Sequence, residues 1–191
     1  MAAPGLAFLH DGPAEPEATL VLAHGAGAPM DSPFMGWWAA ALGERGIHVV
    51  RFEFPYMRQR RASGGRRPPD REPVLLNAWR EAAGCWPGAA IGGKSMGGRI
   101  ASMVADEVGA PALVCLGYPF LPPGKPAAPR ISHLQALAAP ALIVQGTNDP
   151  FGRREEVEGY RLAAGRPPEA AWKSVVDLVA DFLARHSGAA R

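Results

Sequence analysis

The sequence predicts an α/β protein: a mostly parallel sheet of about five or six strands with helices on both faces. Short apolar runs alternate with longer segments of helical periodicity along the chain. The apolar runs do not alternate with polar residues, as expected of strands that helices cover on both sides. The 191 residues contain neither a repeat nor a linker, so we expect a single domain over 1–191.

Six short apolar runs, bounded by turn-forming residues, are the candidate strands. In chain order they are 6–9 (the weakest), 19–23, 48–52, 89–91, 112–116 and 141–145. Helical periodicity predicts helices at 34–45, 73–83, 96–108, 153–162 and 170–185. The first of these helices carries Trp37, Trp38 and Leu42 at helical spacing, and the second has Pro73 in its first turn. The last places its apolar side chains along one face, so these belong to the core.

Bulk composition narrows the function classes. The formal net charge of +2 argues against a dedicated nucleic-acid binder. Two cysteines make no disulfide framework, the first residues lack the pattern of a signal peptide, and no apolar run reaches the roughly 20 residues of a membrane span. We therefore expect a cytoplasmic protein without membrane or nucleic-acid partners, and the sequence indicates neither a cofactor nor a metal site.

Six arginines crowd the segment from Arg58 to Arg71. The favoured interpretation is a solvated, mobile loop rich in glycine and proline. The alternative is an electropositive rim that attracts anionic substrates. The sequence alone does not decide between them.

The most informative motif is IGGKSMGG, residues 91–98, which places Ser95 between Gly93 and Gly97 in a Gly-x-Ser-x-Gly frame. A strand precedes it and a helix follows, the layout of a nucleophile elbow. The tight turn strains the serine backbone, and a Cβ at either flanking position would clash with a neighbouring segment. Ser95 is therefore the predicted nucleophile.

A second motif, LVLAHGAG at residues 20–27, ends a strand and opens a glycine-rich loop. In hydrolases with a nucleophile elbow, this loop and the residue after the nucleophile supply the backbone N–H groups of the oxyanion hole. The donors here would be Ala26 and Met96. Fixed dipoles of this kind suit a developing oxyanion because they need little reorganisation. For His24 we favour a structural role, bonding neighbouring backbone.

A third motif, QGTNDPFG at residues 145–152, follows a buried strand and carries Asp149. The chain order serine, acid, histidine is that of hydrolases with an elbow, so Asp149 is the predicted acid that orients an imidazole. The alternative is a turn aspartate that bonds its own backbone ahead of Pro150.

Together these motifs resemble the small lidless α/β hydrolases related to the testis-expressed and NSL-complex hydrolase-like proteins, distant kin of dienelactone hydrolase. The matching text is HGAGAPMDSPFM, RFEFPYM, RRPPD, GGKSMGGRIAS, LVCLGYPF with PPGKP, and QGTNDPFG, spread over most of residues 20–160. The resemblance implies an α/β-hydrolase fold, Ser95 as nucleophile, Asp149 as acid, and an oxyanion hole near Ala26 and Met96. In this family the substrate is generally unassigned. The serine, the acid and the glycine-rich loop lead us to expect a small ester or acyl substrate.

The chain departs from that family after Asp149. Such proteins usually have one more strand and a turn that carries the catalytic histidine before the last helix, whereas this chain has AAGRPPE, without histidine. We expect the last strand to be missing and the strand at 141–145 to become an exposed edge, on which a second copy can pair. His186 is the only later histidine, about 24 Å along the last helix from its start.

Three hypotheses follow. The first is a serine hydrolase of the ester or acyl type, impaired by the missing histidine turn. The second is a non-catalytic scaffold that binds a partner or ligand. The third rests on GAAIGGKS at residues 88–95, a literal match to a phosphate-binding loop, but the predicted strand lies inside this motif rather than before it.

Overall fold

The computed structural model describes residues 5–121, 128–154, 157 and 172–187. They form a six-stranded sheet in the order β1-β3-β2-β4-β5-β6, in which β1 alone pairs antiparallel. The strands are β1 (Phe8–Asp11), β2 (Ala18–Ala23), β3 (Ile47–Phe52), β4 (Ala90–Lys94), β5 (Leu113–Leu116) and β6 (Ala141–Val144). The helices are α1 (Pro33–Gly43), α2 (Pro55–Ser63), α3 (Glu72–Cys85), α4 (Met96–Val104) and α5 (Trp172–Ser187), with a short 3₁₀ helix at Leu134–Ala136.

Two apolar cores lie on opposite faces of the sheet. Alternate residues of the strands point to opposite faces, so that Val21 and Leu22, for example, belong to different cores. One core packs against α3 and α4, with Trp79 fully buried, and the other packs against α1 and α5, with Trp38 fully buried. This confirms the predicted mostly parallel sheet with helices on both faces.

The predicted strands lie within three residues of the observed ones. The largest difference is β4, which continues to Lys94 and so reaches the elbow itself, because β5 pairs with it up to that residue. The helix predicted at 96–108 ends at Val104, and turns follow it. Most of the helix predicted at 153–162 and all of the AAGRPPE stretch lie outside the described residues. Among the described strands, β6 stands at the sheet edge beside β5.

The interpretation of the arginine-rich segment as a loop was wrong for its first half, which forms α2. Pro55 presets the first turn, and the Asp70 carboxylate accepts the Tyr56 N–H at 2.8 Å. Gly64, with φ of 68°, ends the helix in the left-handed conformation. Only Tyr56 and Met57 of α2 are buried. With so few apolar residues, the segment has little periodicity to reveal a helix.

The sheet topology marks one place as the natural ligand site. From β2 the chain crosses to β3 on one side and later returns to β4 on the other side of β2. The carboxyl ends of β2 and β4 therefore diverge into loops on opposite faces, which leaves a crevice at the switch point. Ala23 and Lys94 are the last residues of these strands, so His24, Gly25 and Ser95 stand at the crevice.

Candidate active site

Ser95 occupies the apex between β4 and α4. Its φ is 50° and its ψ is −114°, and it is the only residue other than glycine with positive φ in the described part of the chain. Its N–H donates to the Leu116 carbonyl at 3.0 Å, and its own carbonyl accepts the Arg99 N–H at 3.0 Å. Such a backbone costs about 1–3 kcal/mol and persists only where its surroundings hold it. The strain is local to the residue that the sequence predicts as nucleophile.

The glycines of the motif allow three segments to meet behind Ser95. A Cβ on Gly93 would lie 2.6 Å from the Gly97 carbonyl carbon, and one on Gly97 would lie 2.5 Å from the His24 carbonyl oxygen. Real Cβ atoms almost never approach backbone atoms this closely. The Trp79 indole N–H also donates to the Gly97 carbonyl at 3.1 Å. The first turn of α4 is thus pressed against the ends of β2 and β4, which fixes the elbow.

Of the two predicted oxyanion donors, Met96 directly follows Ser95 in sequence, whereas Ala26 lies in the loop after β2. An ideal Cβ on Gly25 would lie 3.7 Å from the Ser95 Cβ, so the start of the loop after β2 is adjacent to the serine. No acceptor among the described residues bonds the N–H of Ala26. Met96 is the first residue of α4, where an N–H has no partner within the helix. An oxyanion hole formed by these two N–H groups stays a prediction.

His24 has a structural role. It is fully buried, its Nε2 accepts the Phe54 N–H at 3.2 Å, and its Nδ1 lies 2.7 Å from the Gly25 carbonyl oxygen. Since Nε2 accepts and a carbonyl cannot donate, the proton sits on Nδ1. Burial lowers the pKa of His24, so the neutral ring is favoured. With both nitrogens engaged by backbone, His24 is not available as a base.

Asp149 stands in the turn after β6. Its Oδ1 accepts the Phe151 N–H at 2.9 Å, the bond expected of a turn aspartate, while its Oδ2 lies 3.5 Å from where a Cβ on Gly117 would stand. Gly117 directly follows Leu116, whose carbonyl accepts the Ser95 N–H. Ser95 and Asp149 therefore flank the same end of β5, in the turns that follow β4 and β6, two strands roughly 10 Å apart. This spacing suits a triad in which a base stands between the two side chains.

None of the five histidines, all of which lie in the described part of the chain, bonds Ser95 or Asp149. His10 and His48 stack on one another, His24 bonds backbone, and His133 lies 2.9 Å from the Ser102 hydroxyl. His186 contacts Phe182 in the last turn of α5. The imidazole that a triad requires is therefore not supplied by these histidines in this conformation.

The phosphate-loop match does not form a phosphate loop. Gly92 and Gly93 lie inside β4, and a Cβ on Gly92 would collide with the Val114 carbonyl of the next strand. The Lys94 Nζ lies 5.0 Å from the centroid of the Phe34 ring. A nucleotide-binding loop needs its strand before the first glycine, so the hypothesis that rests on this motif is contradicted. Among the described residues, no three His, Cys, Asp or Glu side chains come together as metal ligands.

The structure adds residues around the site that sequence reasoning missed. Tyr56 and Glu53 are almost completely buried, and together with Arg61 they contact the loop after β2. One signal was present: Glu53 stands between Phe52 and Phe54 at the end of an apolar strand. A carboxylate in such surroundings requires a cationic partner, and the nearby arginines include it.

The buried His24 predicts acid sensitivity. Because burial lowers its pKa in the folded state, the unfolded state binds more protons below about pH 6.5. The free energy of unfolding should therefore fall with pH below that value, with up to about 1.4 kcal/mol per pH unit from this residue. Urea unfolding at a series of pH values measures the slope. His24→Gln should make it shallower, and His186→Gln, at an exposed position, should not. An unchanged slope in His24→Gln contradicts the prediction.

Comparison with known proteins agrees with this architecture. The family described as Alpha/beta hydrolase domain matches residues 16–177. No curated protein matches the chain significantly. No helix of the described residues is long and apolar enough to cross a membrane.

Three solved structures illustrate the likeness. Dienelactone hydrolase from Anabaena variabilis is 19% identical, with a TM-score of 0.73 over 95% of this chain and 92% of that one. An alpha-beta serine hydrolase homologue from Coxiella burnetii is 22% identical, with a TM-score of 0.62 over 94% and 89%. A serine hydrolase without lid from Xanthomonas campestris is 20% identical, with a TM-score of 0.62 over 95% and 87%. At these identities the likeness shows the fold.

Proposed function

Because the chain belongs to the α/β hydrolase domain family, we propose that it is a serine hydrolase-like protein whose Ser95 attacks the carbonyl of a small ester or acyl substrate. The observation that carries the proposal is the strained backbone of Ser95 at the switch point of the sheet. Strain of this kind is typical of functional sites. A purely structural serine gains nothing from a left-handed backbone between a strand and a helix.

The proposed reaction is acyl transfer. The Ser95 Oγ forms a bond to the substrate carbonyl carbon while its proton passes to a base. The N–H groups of Ala26 and Met96 bind the resulting oxyanion. The carbonyl then re-forms, the bond to the leaving oxygen breaks, and that oxygen takes up the proton. Water releases the acyl group from Ser95 in a second, equivalent step.

The proposed reaction lacks an identified base. A serine hydroxyl is a poor nucleophile at neutral pH without one, and no histidine of the chain stands beside Ser95. We therefore propose slow turnover, in which Asp149 orients a base other than the five histidines of the chain.

The positions of the histidines also favour a second candidate. A non-catalytic α/β-hydrolase scaffold, which binds a ligand or partner in the same crevice, needs no base. It keeps the fold and the elbow but forms no acyl-enzyme. Covalent chemistry at Ser95 distinguishes the two.

The matching motifs favour kinship with the testis-expressed and NSL-complex hydrolase-like proteins, and the likeness to dienelactone hydrolase from Anabaena variabilis favours small ester substrates. We further propose a cytoplasmic location, and pairing of a second copy along the edge of β6 (Ala141–Val144), which is only partly buried.

A fluorophosphonate probe with added imidazole tests the function. The folded protein should be labelled slowly on Ser95, and free imidazole should raise the labelling rate at least about tenfold, because general-base catalysis contributes roughly 10²–10⁴. Mass spectrometry of the modified peptide locates the label. Asp149→Asn is the matched control: it keeps the turn bond to Phe151 but should lose most of the imidazole effect. A folded protein that is unlabelled with and without imidazole supports the scaffold instead.

A further inference from the structure

The loop that follows β2, residues 25–31, is held from one side by groups of β3, α2 and the residues between them. We propose that Tyr56 and Arg61, with Glu53, form a clamp that sets the direction of the oxyanion donor Ala26. Tyr56 and Arg61 are then positioning residues, and the arginine-rich helix α2 has a function in the site. The inference rests on the proposed function in one respect: it takes the Ala26 N–H as the donor.

In the first half of the clamp, Tyr56 acts together with His24 and Arg60 on three consecutive carbonyls. The Gly25 oxygen accepts from His24 at 2.7 Å, and the Ala26 oxygen accepts from the Tyr56 hydroxyl at 3.0 Å. The Gly27 oxygen accepts from the Arg60 guanidinium at 3.3 Å. All three oxygens are thus bonded by side chains, two of which belong to α2.

Peptide geometry converts these bonds into a direction for the N–H groups. A trans peptide is planar, so the N–H of one residue points opposite to the carbonyl of the residue before it. The Gly25 oxygen is held against His24, and the Tyr56 hydroxyl lies 3.4 Å from it. The Ala26 N–H, in the same peptide, therefore points away from His24 and Tyr56. Since Gly25 stands beside Ser95, freedom in this one peptide would misdirect the donor.

The second half of the clamp acts at the far end of the loop. Glu53 is only 2% exposed, and its carboxylate accepts both the Arg61 guanidinium at 2.9 Å and the Met30 N–H at 3.3 Å. Arg61 also pairs with the Asp31 carboxylate. The Arg51 guanidinium, itself paired with Asp11, donates to the Met30 carbonyl at 2.8 Å. The loop is therefore fixed at both ends.

These contacts argue against the electropositive-rim interpretation for Arg61. A guanidinium that faces two carboxylates, as Arg61 does, adds little positive potential for an anionic substrate. The Arg60 guanidinium donates a hydrogen bond to the Gly27 carbonyl. By contrast, Arg66 and Arg67 lie fully on the surface between α2 and α3, so they are suitable controls for a purely electrostatic effect.

The kinetic test compares fluorophosphonate labelling of Tyr56→Phe and Arg61→Lys with that of Arg67→Gln. Tyr56→Phe keeps the ring and removes only the hydroxyl. Both clamp variants should lower the maximal labelling rate about tenfold, less than the 10²–10³ lost with a whole oxyanion donor, and leave the half-saturating probe concentration unchanged. Arg67→Gln should behave as wild type. Equal maximal rates in all variants, or a change confined to the half-saturating concentration and abolished by salt, overturns the clamp in favour of the rim.

A second readout does not require any chemistry at Ser95. Amide hydrogen exchange within residues 25–31, above all at Met30, whose N–H donates to the Glu53 carboxylate, should speed up at least about tenfold in Tyr56→Phe and Arg61→Lys, because the loop opens more often. Peptides covering β5 should exchange as in wild type, and Arg67→Gln should match wild type throughout. If the protein is not labelled at all, the proposed hydrolase fails while this measurement still tests the clamp. Unchanged exchange of 25–31 in both variants overturns it.

Discussion

Ser95→Ala should abolish covalent labelling and reduce any ester hydrolysis to the rate without protein. In complete serine hydrolases the loss of a catalytic-triad member costs about 10⁴–10⁶ in kcat. In the proposed hydrolase the wild-type rate begins lower, because no histidine stands beside Ser95, so the whole measurable activity should disappear. Intact-protein mass after probe treatment, and release of a chromogenic alcohol from a short-chain ester, measure the two effects.

Two controls test whether the loss is specific to the Ser95 hydroxyl. Alanine retains the left-handed backbone strain at position 95, so the free energy of unfolding should stay within about 0.5 kcal/mol of wild type. Ser63→Ala removes another serine hydroxyl, on an exposed residue at the end of α2, and should leave labelling intact. Labelling that survives in Ser95→Ala assigns the chemistry to another residue.

Gly97→Ala should destabilise the fold by about 3 kcal/mol, the upper end of the usual cost of overpacking. A Cβ there would stand 2.5 Å from the His24 oxygen and 2.6 Å from the Ala23 oxygen, both of them backbone atoms at the end of β2. Backbone in a sheet does not give way as a flexible side chain does, so α4 must move away from the sheet. Urea unfolding measures the loss, and the labelling rate of whatever remains folded should fall as the elbow opens.

Gly84→Ala is the matched control for this substitution. Gly84 lies in α3, its added Cβ would meet nothing within 4 Å, and alanine is the better helix former. It should therefore raise the free energy of unfolding by up to about 1 kcal/mol. Equal effects of the two substitutions would show that the close contact at Gly97 relaxes without cost.

Much of the architecture is predictable because it depends on local patterns. Buried strands need continuous apolar runs, and the run at 19–23 marks β2 to within one residue. The elbow is readable because its steric demands leave glycine at Gly93 and Gly97, where the structure has contacts below 3 Å to an added Cβ. Helix α2 escaped prediction because it is held by distant groups, Asp70 and the loop after β2, and not by an apolar face of its own.

In the candidate site, too, some features follow from local sequence patterns and others from distant contacts. By itself, the sequence determined which residues to propose for the chemistry, Ser95 and Asp149, because an elbow and an acid after a strand are short motifs with few alternatives. Only the tertiary structure decided what surrounds them: that each histidine has a partner elsewhere, and that the arginines of α2 hold the loop beside Ser95. The physical reason is that hydrogen bonds and ion pairs join groups far apart in sequence. Glu53 and Met30 meet across 23 positions, and no local pattern encodes that distance.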